Sequence, residues 1–97
     1  MLYIFLMLIT KYYSPNFDKK KRSSNRITCI ILHYTGMQSE RESLKRLVSH
    51  KSKVSCHYLI NRSGSIFNLV NDKNVAWHAG KSKWGKYQNL NAHSIGI

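Results

Sequence analysis

ITCIILH, residues Ile27–His33, is the stretch on which the fold turns. It is a β-branched, aliphatic run of strand length, and Gly36 closes the Tyr34-Thr35-Gly36 segment behind it. An apolar run with no alternation suits a strand covered on both faces, as in a sheet overlaid by helices. Just downstream, Ser39-Glu40-Arg41-Glu42 has the spacing of a capping box. The Ser39 hydroxyl can accept from the Glu42 N–H, and the Glu42 side chain can reach back. The helix opened there puts Leu44, Leu47 and Val48 on one face and turns Arg41, Lys45 and Arg46 mostly away. This predicts a helix over Ser39–Ser52.

Working outward, Val54–Ile60 (VSCHYLI) and Ser65–Val70 (SIFNLV) read as a hairpin about Asn61-Arg62-Ser63-Gly64, where Gly64 is free to take positive φ. Asn71-Asp72-Lys73-Asn74 is a further turn, and Val75–Asn91 reads as a long loop bearing Trp77-His78-Ala79-Gly80 and Trp84-Gly85. Ser94-Ile95-Gly96-Ile97 begins another apolar strand at the last residues given. The expected class is α/β, a mixed central sheet flanked by helices, with the Ser39–Ser52 helix on one face and the domain incomplete at its C-terminus. Upstream, Tyr12–Arg26 reads as a surface linker: Ser14-Pro15-Asn16 is turn chemistry, and Lys19-Lys20-Lys21-Arg22 reads as a solvated basic loop. Met1–Ile9 is wholly apolar. As a helix it would rise ~13 Å, against a hydrocarbon core of ~30 Å, which excludes a transmembrane span. Residues 1–13 therefore read as an apolar leader or an N-terminal extension, and residues 14–97 as a partial domain.

Ninety-seven residues hold one small domain. Sixteen Lys and Arg against four Asp and Glu give a net charge of +12, which predicts attraction to polyanions without choosing among them. No alternation of aromatics with arginines accompanies the charge, which argues against a specific nucleic-acid platform. The two cysteines have no CxxC spacing, so a zinc ribbon is excluded, and packing is the favoured role of both Cys29 and Cys56. HExxH, GxSxG and a phosphate loop are all missing from the sequence. The four carboxylates belong to the cap (Glu40, Glu42), a turn (Asp72) and the linker (Asp18), and none is well placed as a general base. Of the five histidines, His50 falls at the expected helix end and His93 ahead of the last strand, both suited to ordinary surface roles. His33, at the carboxyl end of a sheet strand, is placed to show a ring nitrogen to a cleft.

Taken in order, Ile30–Thr35 (IILHYT), Val54–Ile60, Gly64, Trp77-His78-Ala79-Gly80, Trp84, Leu90-Asn91 and Ser94–Ile97 resemble the type 2 N-acetylmuramoyl-L-alanine amidases. That family shares its fold with phage-lysozyme-type amidases and peptidoglycan recognition proteins, and the similarity runs from about Ser14 to Ile97. The resemblance implies zinc-dependent hydrolysis of the amide joining N-acetylmuramic acid to L-alanine, with peptidoglycan or a muropeptide as partner. It implies that His33 is a zinc ligand and that Tyr34, His78, Ala79, Gly80 and Trp84 line the substrate groove. The apolar Met1–Ile9 run leaves export with an atypical leader open, which places a periplasmic or cell-envelope location slightly ahead of a cytoplasmic one. In the family, two further zinc ligands and the catalytic carboxylate follow the Ser-Ile-Gly-Ile strand. Strand alternation gives no reason to expect His57 or His78 in their stead. The expectation is therefore a truncated amidase domain, inactive as it stands and marginally stable or aggregation-prone, with a non-catalytic peptidoglycan-binding fragment or a decayed remnant as the alternative.

Overall fold

The structure is a computed structural model that describes residues 9–97. Of the apolar Met1–Ile9 stretch, only Ile9 falls inside that range. In chain order the elements are β1 (Ile9–Lys11), β2 (Phe17–Asp18), β3 (Cys29–Ile31), α1 (Glu40–Val48), β4 (Tyr58–Ile60), β5 (Ile66–Asn68), β6 (Val75–Ala76), β7 (Lys83–Trp84), β8 (Tyr87–Gln88) and β9 (Ser94–Gly96). Short 3-10 turns occupy Ser24–Arg26, His50–Ser52 and Leu90–His93.

The hairpin forms about Asn61–Gly64, with Leu59 of β4 opposite Phe67 of β5, but its strands are shorter than expected: Val54–His57 is not strand and β5 covers only Ile66–Asn68. Gly64 takes φ +88° at its tip, and Asn61 Oδ1 accepts from the Ser63 and Ser65 N–H groups. β1 runs parallel to β5 on the other side, with Thr10 opposite Phe67. β3 and β9 form a second, parallel ladder with Ile30 opposite Ile95. The ladders join just before β4, where the His57 N–H donates to the Gly96 carbonyl at 3.0 Å. The result is a mixed sheet, as read from the sequence, of two ladders, β3-β9 and β4-β5-β1, bridged by that bond.

Ser39 caps α1 by accepting from the Glu42 N–H at 3.2 Å, as its spacing required. Leu44, Leu47 and Val48 pack on the core of Cys56, Leu59, Leu69, Val70 and Ala76. The helix is shorter than expected. Ser49 is extended (φ −78°, ψ 122°), so α1 stops at Val48, and His50 lies in the following 3-10 turn instead of the last helical turn. The last carbonyls of a helix need outside donors. Ser14 Oγ donates to the Leu47 carbonyl, Asn16 Nδ2 to that of Ser49, and Ser52 Oγ to that of Arg46.

The Tyr12–Arg26 segment is thus no surface linker. Ser14, Asn16 and Arg22 are buried, and β2 pairs antiparallel with β6. Nor is β3 covered on both faces: Ile30 is 63 % and Leu32 75 % exposed, because α1 spends its apolar face on the hairpin side of the sheet. The Val75–Asn91 stretch also carries more order than a loop, holding β6 and the β7–β8 hairpin in which Trp84 faces Tyr87.

Candidate functional site

His33 is set by backbone pairing that continues past the end of β3. The Ile97 N–H donates to the Ile31 carbonyl at 3.0 Å, and the His33 N–H to the Ile97 carbonyl at 2.7 Å. Its exposed ring stands at the carboxyl end of the strand, with Nε2 3.0 Å from His78 Nδ1.

His78 reaches this point from the far side of the sheet and is held at both backbone and ring. Asn91 Oδ1 accepts from the His78 and Ala79 N–H groups at 3.1 and 2.8 Å. The ring Nε2 lies 3.0 Å from Ser94 Oγ, whose own proton goes to the Leu90 carbonyl at 2.7 Å. Ser94 must therefore accept, so Nε2 carries the ring proton and Nδ1 turns a lone pair toward His33. Gly96 lies under the ring: a Cβ there would sit 2.5 Å from His78 Cγ. Burial, then the neighbouring His33, His57 and Arg22, push the His78 pKa down to about 4, leaving the ring neutral at pH 7.

His57 is also close, its ring centroid 6.1 Å from that of His78, but it is fully committed. Its Nδ1 accepts from the Gly96 N–H at 3.1 Å, so Nε2 donates to the Asn74 carbonyl at 2.8 Å. Burial keeps its pKa below the ordinary value, opposed by the Asn74 carbonyl. Arg22 lies beside it, donating to the carbonyls of Asp72, Asn91 and Ser94 at 3.0, 2.9 and 2.7 Å. Arg22 is the residue that sequence reasoning missed. It sits inside a run of lysines, and nothing local marks which member of that run turns inward.

His33 and His78 open onto a cleft of about 220 Å³, whose lining includes Tyr34, Arg46, Leu47, Cys56, Leu59 and Trp77. Burial pushes the Cys56 pKa up to about 12, so it stays a thiol and packs, as its sequence context suggested. Trp77 Nε1 donates to Asp18 Oδ1 at 2.8 Å. None of the four carboxylates lines this cleft. Of the expected groove residues, Tyr34 and His78 line it, and Ala79 adjoins it through its bond to Asn91. Gly80 belongs to a separate depression with Lys81–Lys83, Gln88 and Asn89, and Trp84 stands 76 % exposed on β7.

Loop return, which strand alternation does not govern, brings the two rings together. The exposed His33 imidazole is a donor type that suits zinc, and its Nε2 is hydrogen-bonded to His78 Nδ1. Among the described residues no group of three or more His, Cys, Asp or Glu is assembled.

Comparison with known proteins gives concordant results. A family described as N-acetylmuramoyl-L-alanine amidase matches residues 23–97. The chain is 38 % identical over 79 residues to the N-acetylmuramoyl-L-alanine amidase AmiD of Escherichia coli (strain K12), covering 74 % of this chain and 28 % of that protein. It is 30 % identical over 101 aligned residues to the 1,6-anhydro-N-acetylmuramyl-L-alanine amidase AmpD of Haemophilus influenzae, covering 87 % of this chain and 54 % of that one. A crystal structure of a selenomethionine AmpD derivative superposes with a TM-score of 0.74 at 24 % identity, over 100 % of this chain and 64 % of that chain, which shows the shared fold. The chain spans less than two thirds of the length of each.

Proposed function

This chain belongs to the N-acetylmuramoyl-L-alanine amidase family, and from that membership we propose that it acts on peptidoglycan or its muropeptides, hydrolysing the amide between N-acetylmuramic acid and L-alanine. The observation that carries the reading is His33, fixed at the carboxyl end of β3 with its ring open to the cleft. An amide is a poor electrophile and water a poor nucleophile. Zinc, held by His33, would supply Lewis acidity toward the carbonyl and lower the pKa of a bound water to ~7.

The remaining work falls to the chain itself. Tyr34 and Trp77 offer flat apolar surface for the sugar and lactyl portions, against a wall that includes Leu47 and Leu59. Arg46 sets a cation on the cleft lining, suited to carboxylates of a stem peptide. Asn91, through the His78 and Ala79 N–H groups, fixes the loop that closes the far side. Gly80 and Trp84, outside this cleft, would serve a longer substrate running on toward the β7–β8 hairpin. We place the activity at the cell envelope, a reading supported by the apolar Met1–Ile9 stretch and the net charge of +12.

The test is to incubate the zinc-supplemented protein with purified muropeptides, with and without a chelator, and to identify products by mass spectrometry. Stem peptide with a free alanine amino terminus, formed only without chelator, is the expected result. Retention of muropeptide without cleavage would favour the binding-only alternative, and neither binding nor cleavage would refute the reading.

A further inference from the structure

His33 is an exposed imidazole, and a neutral imidazole can carry its proton on either ring nitrogen. Two side chains behind it remove that choice. We propose that His78 and Ser94 are positioning residues, which fix His33 in the Nε2–H tautomer and leave Nδ1 as the nitrogen it offers to the cleft. This deepens the amidase reading, on which it rests only for the identity of the ion that His33 would bind.

The polarity is set at the far end, by a group that can only accept. The Leu90 carbonyl takes the Ser94 Oγ–H at 2.7 Å. Ser94 Oγ, its proton committed there, accepts from the His78 Nε2–H at 3.0 Å. His78 is then unprotonated at Nδ1, which lies 3.0 Å from His33 Nε2. Two lone pairs repel at that distance, so the hydrogen between the rings belongs to His33. Three hydrogen bonds therefore point one way, from the exposed ring to a backbone carbonyl, and bonds in such a chain polarise one another. The supports of this relay are independent. Ser94 opens β9 and is fully buried, which holds its hydroxyl between Leu90 and His78. Asn91 Oδ1 accepts from the His78 N–H, and Gly96 leaves room for the ring. His57 spends both nitrogens on the Gly96 N–H and the Asn74 carbonyl, so it does not compete for His78 Nδ1. An imidazole ligates a metal through its unprotonated nitrogen, and the hydrogen bond made by the other nitrogen decides which one that is. His78 supplies that bond to His33 and is not itself a ligand.

The test is ring-nitrogen NMR of the metal-free full chain at about pH 8, where imidazole is neutral. The expected result is a proton on Nε2 of both His33 and His78, with a coupling through the hydrogen bond joining His33 Nε2 to His78 Nδ1. A proton on Nδ1 of either ring would overturn the proposal, and this reading needs no variant to fold. In Ser94→Ala and His78→Ala the His33 signals should shift to those of a free imidazole, whereas His50→Ala should leave them unchanged. His33 signals unmoved by both substitutions would also overturn it. Zinc chloride added to the unaltered chain should move His33 Nδ1 and leave Nε2 protonated, with affinity about tenfold weaker in Ser94→Ala. Zinc bound at His33 Nε2 would overturn the proposal and leave the amidase reading standing. The expected coupling without any zinc binding would support the relay and count against the amidase reading alone.

Discussion

At the scale of single residues, the site depends on groups whose partners are remote in sequence. Gly96→Ala introduces a Cβ 2.5 Å from His78 Cγ and must displace the ring. We expect a loss of about 2 kcal/mol in urea denaturation from this overpacking, and an unchanged midpoint would contradict it. Arg22→Met strips donors from the carbonyls of Asp72, Asn91 and the buried Ser94, and should lower stability by about 2 kcal/mol in urea denaturation. The buried histidines set a pH dependence. The pKa values of His57 and His78 are both lowered from 6.5 by burial, so the unfolded chain takes up protons that the native chain excludes. The stability this contributes is present above pH 6.5 and lost as pH falls toward the His78 value of about 4. The urea midpoint should therefore be lower at pH 4.5 than at pH 7, and an equal or higher midpoint would contradict it. His33 was legible in the sequence because its setting is local, an apolar run with a histidine at its end. Arg22 and Asn16 were not, because their acceptors lie 33 to 72 positions away and nothing in Ser14-Pro15-Asn16 or the lysine run reports them.

Among the elements, α1 shows which signals are local and which are not. Its start was readable from Ser39 and Glu42, three positions apart, and its buried face from the spacing of Leu44, Leu47 and Val48. Its end was not, because the donors that receive its last carbonyls come mainly from the segment ahead of β2. Asn16→Ala removes the bonds to the Ser49 and Val54 carbonyls, both 2.8 Å, inside a buried setting. We expect a loss of about 2 kcal/mol in thermal or urea unfolding, with amide exchange accelerating first in residues 46–54. The β4–β5 hairpin and its glycine turn were legible because they close within a dozen residues, although the strands are shorter than Val54–Ile60 and Ser65–Val70. The pairing of β3 with β9 joins residues 65 positions apart, and only the apolar character of both segments hinted at it.

For the whole molecule, the mixed sheet and its helix were foreseen, whereas the covering of β3 on both faces, expected from its apolar run, is not found. Ile30, Leu32 and Tyr34 leave apolar surface at 63, 75 and 92 % exposure. Exposed patches of this kind drive association. The purified chain should show concentration-dependent self-association in sedimentation velocity, and Ile30→Lys with Leu32→Lys should restore a monomer. A monodisperse unaltered chain across that range would contradict this. The central claim remains that the cleft beside His33 cleaves the muramyl–alanine amide. Its most direct test is the rate of alanine-terminated peptide release from a muropeptide by the zinc-loaded chain and by His33→Ala under identical conditions. The account predicts release by the unaltered chain and a loss of at least about 100-fold in the variant, since even the groups behind a metal ligand are worth ~10–100-fold. Equal rates for the two proteins, or no release by either, would contradict it.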